Sequence, residues 1–386
     1  MLQRQTKRER SVLILIPCFN DWEALAKLLP QIDSVLYTWQ RGREEANWLV
    51  SVLVVDDAST EPMPRAWPCR VLETIESLTV LQLRCNLSHQ RAIAVGLYHA
   101  HEFTDASAVL VMDADGEDRP EDLPALLEEF ERNEEMAAVF AARTRRLESM
   151  TFQLFYRAFR LIHYLLTGME VRVGNFSVLP RSALTRLMAV SDLWNHYANA
   201  VYRSKIPRKI VPLARGRRLA GSSHMNFVSL LLHGLAAMSV FSDYIAARLL
   251  AASSVLAIMG LGVALWSGMT LAAGVLLVLS AQSLTFATLF ALTIIGRRST
   301  TNFLPLRDAT HFILGTAVCP VNFSLQRLSG ILARAESSSS RELDPALMPS
   351  LLQLQENLRA ASPVAEPVSV VHGTDSPAGP SEPGLA

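Results

Sequence analysis

The sequence predicts an α/β fold with a Rossmann-like, mostly parallel sheet, followed by an apolar helical hairpin. Two observations lead to this prediction. Short apolar runs alternate with segments of helical periodicity through the first half of the 386-residue chain. Strands that are apolar on both faces and alternate with helices are typical of a parallel sheet covered on both sides. The second observation is a stretch without a charged side chain that extends from Arg248 to Arg297.

The predicted strands are short aliphatic runs, and most of them end at polar residues. They cover Ser11–Pro17, Val50–Val55, Leu78–Leu83, Ala108–Met112, Ala137–Ala141, Val171–Leu179 and Ile206–Leu213. Apolar residues at three- and four-residue spacing predict the helices. These cover Asp21–Leu36, Gln90–His101, Pro120–Asn133, Arg145–Thr167 and Ser182–Val190.

Charge and cysteine content exclude several classes of protein. Lys+Arg and Asp+Glu number 36 each, so no basic excess indicates a nucleic-acid partner. The four cysteines are scattered without metal-ligand spacing, and we interpret them as reduced thiols of a cytosolic compartment. The charged N-terminus precedes an apolar run from Val12 to Ile16 that is too short for the core of a secretory signal.

The uncharged stretch is long enough for two membrane spans of roughly 20 residues each. We place them at about Arg248–Trp266 and Leu271–Ile295. A buried hairpin of a soluble protein is the alternative. Arg297 and Arg298 directly after the second span favour a cytoplasmic end. Because two spans return the chain to its starting side, we expect the α/β domain and the C-terminus to share the cytoplasmic face of a multi-pass membrane protein.

The segments around the spans have their own predicted roles. Met225–Ser242 is apolar and amphipathic, and we expect it to lie along the membrane surface; a core helix is the alternative. The predicted organisation is an α/β domain over residues 1–224, juxtamembrane helices over 225–247, the spans over 248–296 and a cytoplasmic membrane-proximal segment over 297–335. Residues 336–386 are rich in Ser, Pro and Glu and predict a disordered tail.

Polar residues stand where the predicted strands end, which is where open α/β sheets bind ligands. They include Asn20 after the first strand, Asp56 and Asp57 after the second, and Asn86 after the third. The sequence contains no glycine-rich phosphate loop. The acidic run Asp113–Asp118 follows the fourth strand, and an extended Asp-x-Asp directs two carboxylates to the same side. Carboxylates suit Mg²⁺ or Mn²⁺ that bridges to a substrate phosphate.

Four spaced motifs carry a resemblance to a known family. In chain order they read P-C-F-N-D, V-V-D-D-A-S, R-C-N-L-S-H-Q-R-A and D-A-D-G-E-D-R-P-E-D. The sequence resembles family 2 glycosyltransferases of GT-A fold, in particular the polyprenyl-phosphate type, such as dolichol-phosphate mannose synthase and bacterial undecaprenyl-phosphate glucosyltransferases. The resemblance covers about residues 11–250, and the two spans extend it. It implies an inverting hexosyl transfer from a UDP- or GDP-linked sugar to undecaprenyl or dolichyl phosphate, with Mg²⁺ or Mn²⁺ as cofactor.

The resemblance also implies roles for individual residues. The nucleotide-sugar site would be formed by Pro17, Asn20, Asp21, Asp56, Asp57, Asn86, Gln90, Asp113, Ala114 and Asp115. The metal ligands would be Asp113, Asp115 and Glu117, and the catalytic set Asp113, Asp115, Arg215 and Arg218. The acceptor phosphate would be held by Arg143, Arg146, Arg215, Arg218 and Ser223, since arginine binds phosphate bidentately. Simple turn-capping by Asp57 and Ser59 stays open, as does a role for Asp118 and Glu121 as ordinary acids of a first helical turn.

The sequence departs from the family pattern at four positions. Asn175 replaces an Asp, His224 a Lys, Met225 a Tyr and Asp21 a Glu. The first change removes a possible acceptor-side carboxylate, and the second weakens a permanent positive charge. Two other functions therefore stay open: transfer to another lipid or to a sugar, and a catalytically silent membrane scaffold. We also expect a lipid bilayer as partner and allow for a homo-oligomer.

Overall fold

A computed structural model of the chain describes residues 10–43, 48–64, 72–143, 150–168, 173–221, 227–299 and 303–319. The described strands form one eight-stranded mixed sheet of order β7-β5-β6-β4-β1-β2-β3-β8. They are β1 (Arg10–Cys18), β2 (Trp48–Asp56), β3 (Ile75–Leu83), β4 (Ala108–Val111), β5 (Ala138–Arg143), β6 (Val173–Pro180), β7 (Arg208–Leu213) and β8 (Ile313–Cys319). The strands β1, β2, β3 and β4 run parallel, as do β5 and β7, whereas β6 and β8 run antiparallel to their neighbours.

The described helices include the predicted ones in order, and two short helices that were not predicted, Tyr197–Arg203 and Pro305–Asp308, are added to them. They are α1 (Trp22–Arg41), α2 (His89–Phe103), α3 (Leu123–Arg132), α4 (Met150–Thr167), α5 (Arg181–Leu187), α6 (Tyr197–Arg203), α7 (Phe227–Ser239), α8 (Ser242–Ser267), α9 (Leu271–Ser299) and α10 (Pro305–Asp308). The helix expected over Pro120–Asn133 begins with a 3-10 turn at Pro120–Asp122 and continues as α3. Both parts of the expected architecture, the α/β sheet and the helical pair after it, are confirmed.

The core lies on both faces of the sheet because the central strands are apolar on both sides. The apolar face of α1, with Leu25 and Leu28, is buried on one face of the sheet. On the other face, α2 approaches so closely that a Cβ at Gly96 would lie 2.7 Å from Val55 and 2.8 Å from Leu15. This close packing fixes the start of α2 beside the carboxyl ends of β1 and β2.

An eighth strand, which the sequence analysis does not predict, joins the sheet from beyond the helical pair. The strand β8 pairs with β3, from Leu78 opposite Cys319 to Leu83 opposite Ile313. Just before β8, the ring of Phe303 stacks on Trp194 with centroids 3.8 Å apart. Part of the segment expected to be membrane-proximal therefore belongs to the sheet.

The two long helices α8 and α9 are apolar and long enough to cross a membrane. They begin and end close to the predicted spans, and Gly268, with φ of +75°, lies between them. Ser253 and Ser280 join them, because each hydroxyl donates to the other residue's carbonyl oxygen, at 2.9 and 2.8 Å. Only 11% of the apolar window in each helix is buried within the protein, which argues against a buried soluble hairpin.

Side chains tie α8 to the sheet domain. Arg203 of α6 donates to both carboxylate oxygens of Asp243 in the first turn of α8, at 2.8 and 3.0 Å. Arg248 of α8 donates to the carbonyl oxygens of Tyr164 and Leu165 near the end of α4. The base of the helical pair is thus fixed against the domain. The predicted tail over 336–386 lies outside the described residues.

Candidate active site

The acidic run after β4 folds into a tight turn, which we call the acidic turn (residues 113–118). The backbone N–H of Asp113 donates to Oδ2 of Asp118 at 3.0 Å, and that of Glu117 to Oδ1 of Asp115 at 2.9 Å. Gly116 has φ of +82°, a conformation that glycine adopts without strain. The turn is therefore held by hydrogen bonds between its own residues, and its remaining carboxylate oxygens lie at the edge of the sheet where the parallel strands end.

The segment after β7 lies over the acidic turn; we call it the arginine strap (residues 214–221). Its backbone N–H groups at Gly216 and Leu219 donate to the carbonyl oxygens of Glu117 and Asp115, at 2.8 and 2.9 Å. A Cβ at Gly116 would lie 2.7 Å from Cδ1 of Leu219. Only a glycine fits between the turn and the strap at this point.

Arginines of the strap pair with the acids beneath them. Arg218 donates from Nη1 to Oδ2 of Asp115 at 2.9 Å and from Nη2 to Oδ1 of Asp21 at 2.6 Å. Arg215 pairs with Glu117. Arg218 therefore bridges the loop after β1 and the acidic turn, and the structure brings together five residues that the sequence analysis assigned to the site.

Negative charge is crowded at this point. The pKa of Asp115 is raised to about 6, first by its burial and then by repulsion from Asp113, with a further contribution from Glu117. A hydrogen bond from the Glu117 N–H and the charge of Arg218 act in the opposite direction. A positive charge at Asp115 is therefore favoured, and Arg218 provides one.

The acids suit a divalent cation by chemistry, because Mg²⁺ and Mn²⁺ prefer hard carboxylate oxygens. The crowding that raises the pKa of Asp115 is what such a cation would relieve. Within the described ranges, however, no group of three or more His, Cys, Asp or Glu is gathered as a metal site. Asp115 and Glu117 are instead paired with Arg218 and Arg215.

The loops after β1 and β2 are held together by Asn20, which has φ of 55°. Its Oδ1 accepts from the backbone N–H groups of Thr60 and Glu61 at 2.9 and 3.1 Å. Asp56 accepts from the N–H of Ser59 at 2.9 Å. Both residues thus shape the rim of the edge where a nucleotide is expected.

Asp57 is buried and faces the loop after β3, where its Oδ1 accepts from the N–H of Leu87 at 2.7 Å. Burial raises its pKa to about 6, although hydrogen bonds from Leu87 and Ser88 oppose the shift. Asn86 is exposed, and its Oδ1 accepts from the N–H of Ser88 at 3.2 Å. The capping alternative named Asp57 and Ser59, but Asp57 accepts from Leu87, Ser59 Oγ accepts from the N–H of Asn20 at 3.0 Å, and it is Asp56 that caps the turn to Ser59.

A chain of polar contacts lies beside Asp113. Gln90 is buried and bonds to the N–H of Tyr197 and to Asn175. Asn175 in turn contacts Nε2 of His89, which lies 3.1 Å from Oδ1 of Asp113. Burial lowers the pKa of His89, but attraction from Asp113 and the neighbouring acids outweighs it and raises the pKa. Gln90 is among the residues that the sequence predicts for the site, whereas His89 is not, because a single histidine at a helix start is no signal in itself.

Of the other residues predicted for the site, some lie in the described part of the chain and some do not. Pro17 and Ala114 are buried at the strand-end edge. Arg143 ends β5 opposite Leu213, and its side chain is outside the described part. Arg146 and Ser223, together with the departures at positions 224 and 225, also lie outside it.

Comparison with known proteins finds a family match that includes the acidic turn and ends before the arginine strap. Residues 13–188 match the family model described as Glycosyl transferase family 2, which is just under half of the chain. The uncharacterized glycosyltransferase YkoT of Bacillus subtilis (strain 168) is 33% identical over 118 residues, which are 29% of this chain and 32% of that protein. The uncharacterized glycosyltransferase YkcC of the same organism is 22% identical over 246 residues, which are 59% of this chain and 68% of that protein.

A solved structure is similar at a low level. It is the crystal structure of glucosyl-3-phosphoglycerate synthase from Mycobacterium tuberculosis in complex with Mn²⁺, UDP-glucose and phosphoglyceric acid. It is 12% identical, the alignment covers 62% of this chain and 80% of that chain, and the TM-score is 0.40. The sequence match is stronger: residues 13–188, which include the acidic turn, carry the features of a glycosyl transferase family 2 domain.

Proposed function

We propose that the chain is a membrane-anchored glycosyltransferase that moves a hexose from a nucleotide-sugar to a polyprenyl phosphate. The observation that carries the proposal is the pairing of the acidic turn with the arginine strap. Carboxylates suit the cation of a nucleotide-sugar, and arginines suit a second phosphate. The acidic turn lies within the family-matched residues 13–188, and the strap, which pairs with it, follows β7 and precedes the apolar helices in the chain.

On the donor side, Asp113 and Asp115 would hold Mg²⁺ or Mn²⁺, with Glu117 as a third carboxylate. The cation, when bound, neutralises charge that develops on the departing diphosphate. Asn20, Asp56 and Asp57 join the loops after β1, β2 and β3 into one rim, which supports a nucleotide pocket there. The raised pKa of Asp115 supports a cation beside it.

On the acceptor side, a lipid phosphate needs no general base, because one of its oxygens is already ionised at neutral pH. That oxygen forms a bond to the anomeric carbon while the bond to the nucleoside diphosphate breaks, so the configuration inverts. Arg215 and Arg218 would leave Glu117 and Asp115 and bind phosphate oxygens in their place. Arg143, Arg146 and Ser223 stay proposed contacts of the same phosphate.

Two observations support the membrane part of the proposal: exposed apolar side chains on α4, and the path of the chain through α8 and α9 back to the sheet. The helix α4 exposes Leu161, Ile162 and Leu165, which are 51–59% accessible, and its end contacts Arg248 of α8. The chain leaves the sheet domain before α8 and rejoins it at β8 after α9. Two spans would therefore start and finish on the side of the sheet domain, which we propose is cytoplasmic.

A donor screen tests the proposal. Purified full-length chain in detergent is given radiolabelled UDP- or GDP-hexoses with undecaprenyl or dolichyl phosphate, with and without Mn²⁺. We expect label in the polyprenyl-phosphate fraction with one donor, and no label with Asp115→Asn. Label in a diacylglycerol or oligosaccharide product only would overturn the acceptor and favour transfer to another lipid or to a sugar. Full cellular function of Asp115→Asn, with no product in vitro, would favour a silent scaffold.

A further inference from the structure

The residue that begins α2, His89, lies next to the acidic turn and has no role in the function proposed above. Its side chain is 40% exposed, and its Nε2 lies 3.1 Å from Oδ1 of Asp113. The close packing of α2 on β1 and β2 at Gly96 fixes this helix, so His89 is held at the strand-end edge.

Hydrogen bonds determine which form of the His89 ring the surroundings favour. The N–H of Tyr197 can only donate, and it contacts Oε1 of Gln90 at 2.7 Å. The other amide atom, Nε2 of Gln90, therefore donates to Oδ1 of Asn175, at 3.1 Å. Nδ2 of Asn175 then faces His89.

Nδ2 of Asn175 is 2.9 Å from Nε2 of His89. An amide nitrogen donates and cannot accept, so Asn175 favours a lone pair on Nε2 and a ring proton on Nδ1. A neutral imidazole nitrogen with a lone pair is the form that binds metal ions. The hydrogen-bond chain that starts at the buried backbone of Tyr197 thus favours a lone pair on Nε2, whereas Oδ1 of Asp113, at 3.1 Å, can only accept and favours a proton on the same nitrogen. A cation between the two residues would satisfy both, because it would bind the lone pair and balance the carboxylate.

The distance to Asp113 fits two ligands of one ion. Ligands about 2.1 Å from an octahedral ion and at right angles to each other lie about 3 Å apart. Nε2 of His89 and Oδ1 of Asp113 are 3.1 Å apart. An ion between them would take over the lone pair that Asn175 now contacts.

We propose that His89 is a nitrogen ligand of the divalent cation held by Asp113, an inference that rests on the cation of the proposed function. Imidazole suits transition metals better than Mg²⁺, which prefers oxygen. Mn²⁺ and Co²⁺ should therefore bind more tightly than Mg²⁺, and His89 should account for part of that preference.

Pulsed electron paramagnetic resonance of the full-length chain loaded with Mn²⁺, without substrate, tests the proposal. We expect modulation from a ¹⁴N nucleus bound to Mn²⁺, which changes to the ¹⁵N pattern when the chain is made with ¹⁵N-histidine. It should disappear in His89→Gln and persist in the control His101→Gln, whose side chain pairs with the neighbouring Glu102 and not with the acidic turn in the described part of the chain. The Mn²⁺ affinity should fall at least roughly tenfold in His89→Gln, since loss of even an outer-shell partner of a metal ligand typically costs about 10–100-fold.

The possible outcomes separate this inference from the function it rests on. Mn²⁺ that binds in an Asp113-dependent way without a histidine nitrogen signal overturns the role of His89 and leaves the carboxylate site intact. A signal that persists in His89→Gln also overturns it. The isotope experiment uses the unsubstituted chain, so the result stands even where His89→Gln fails to fold. If the chain binds no Mn²⁺ at all, both the ligand role and the metal part of the proposed function are wrong.

Discussion

Nη1 of Arg218 lies 2.9 Å from Oδ2 of Asp115, so a guanidinium of the arginine strap occupies one oxygen of the acidic turn. Both side chains are largely buried, at 17% and 15% exposure. A paired charge that is withdrawn from water is costly to leave without a partner. We therefore expect Arg218 to leave Asp115 only when a cation replaces it and a phosphate receives the arginine.

Replacement of Arg218 tests this exchange, and Arg217 offers a matched control because it is the exposed arginine next to it. In the proposed reaction Arg218→Ala removes a charge-assisted contact to phosphate, and we expect kcat/KM to fall by about 10²-fold. Arg217→Ala should stay within about twofold of the unsubstituted chain, as for a surface change. Steady-state transfer assays of both variants check this, and equal losses in the two would contradict a specific role for Arg218.

The position of the strap depends on Gly216. A Cβ there would lie 2.6 Å from the carbonyl oxygen of Gly116 and 3.1 Å from that of Glu117, and backbone atoms cannot easily move aside. We expect Gly216→Ala to lift the strap and make its arginines several-fold more sensitive to trypsin in a timed digest. Gly42→Ala is the control, since its nearest contact would be an ordinary 3.7 Å. Equal cleavage of the strap in both variants would show that it is not held down.

Asp57 should make stability fall as pH rises. Its pKa is raised from 3.8 to about 6 by burial, so the folded chain keeps a proton that the unfolded chain loses first. Stability is therefore lost between about pH 4 and pH 6, and the loss is complete above that range. Its size is about 1–3 kcal/mol, at about 1.4 kcal/mol per pKa unit.

Asp57→Asn should remove this loss of stability, because asparagine does not ionise. Its amide oxygen can still accept from the N–H of Leu87, so the loop contact is kept. The variant should unfold at a higher temperature than the unsubstituted chain at pH 7.5 and at nearly the same temperature at pH 4. Thermal unfolding in detergent at both pH values measures the difference. An equal difference at the two pH values would mean that the charge of Asp57 is not the cause.

His196 should lower the stability of the folded chain at acid pH. Its pKa is lowered to about 3, first by burial and then by repulsion from His233, His163 and His89. The unfolded chain takes up its proton near the ordinary value of 6.5, so stability falls as pH drops below that value. The cost grows by up to about 1.4 kcal/mol per pH unit.

His196→Asn should flatten this acid loss, because asparagine takes up no proton in this pH range. It should keep the cap at the start of α6, where Nδ1 of His196 accepts from the N–H of Asn199 at 3.4 Å. Unfolding midpoints between pH 6.5 and pH 4.5 give the slope. The control variant His101→Asn, at a half-buried histidine of α2, should leave the slope unchanged. If His196→Asn also leaves it unchanged, a charge at His196 does not limit acid stability.

The strands β1 to β7 were predictable because each is a short apolar run, and the longer helices because their apolar residues recur at three- and four-residue spacing. The short helices α6 and α10 were not predicted. The strand β8 was not predicted, because its run from Ile313 to Cys319 contains Gly315 and is separated from β3 by the helical pair. Its place in the sheet depends on pairing with Leu78–Leu83 and on the stack of Phe303 on Trp194. Such contacts between distant parts of the chain leave no local pattern.

The candidate site, too, was predicted in its residues and not in its contacts. The acidic turn and the two arginines were chosen from sequence, since their residue types and order are distinctive. Their direct pairing was not foreseen, because Arg218 and Asp115 meet across 103 residues of chain. The place of His89 beside Asp113 likewise depends on the close packing of α2 at Gly96.

Transfer of labelled hexose to undecaprenyl phosphate, compared with undecaprenol of the same length, tests the central claim most directly. The full-length chain would be given the active nucleotide-sugar and Mn²⁺ with each lipid, and Asp115→Asn would serve as the inactive control. We predict product from the phosphate alone, with none from the alcohol, because Arg215 and Arg218 would bind a phosphate and no base for an alcohol is proposed. Equal transfer to the alcohol, or product from Asp115→Asn, would contradict the account.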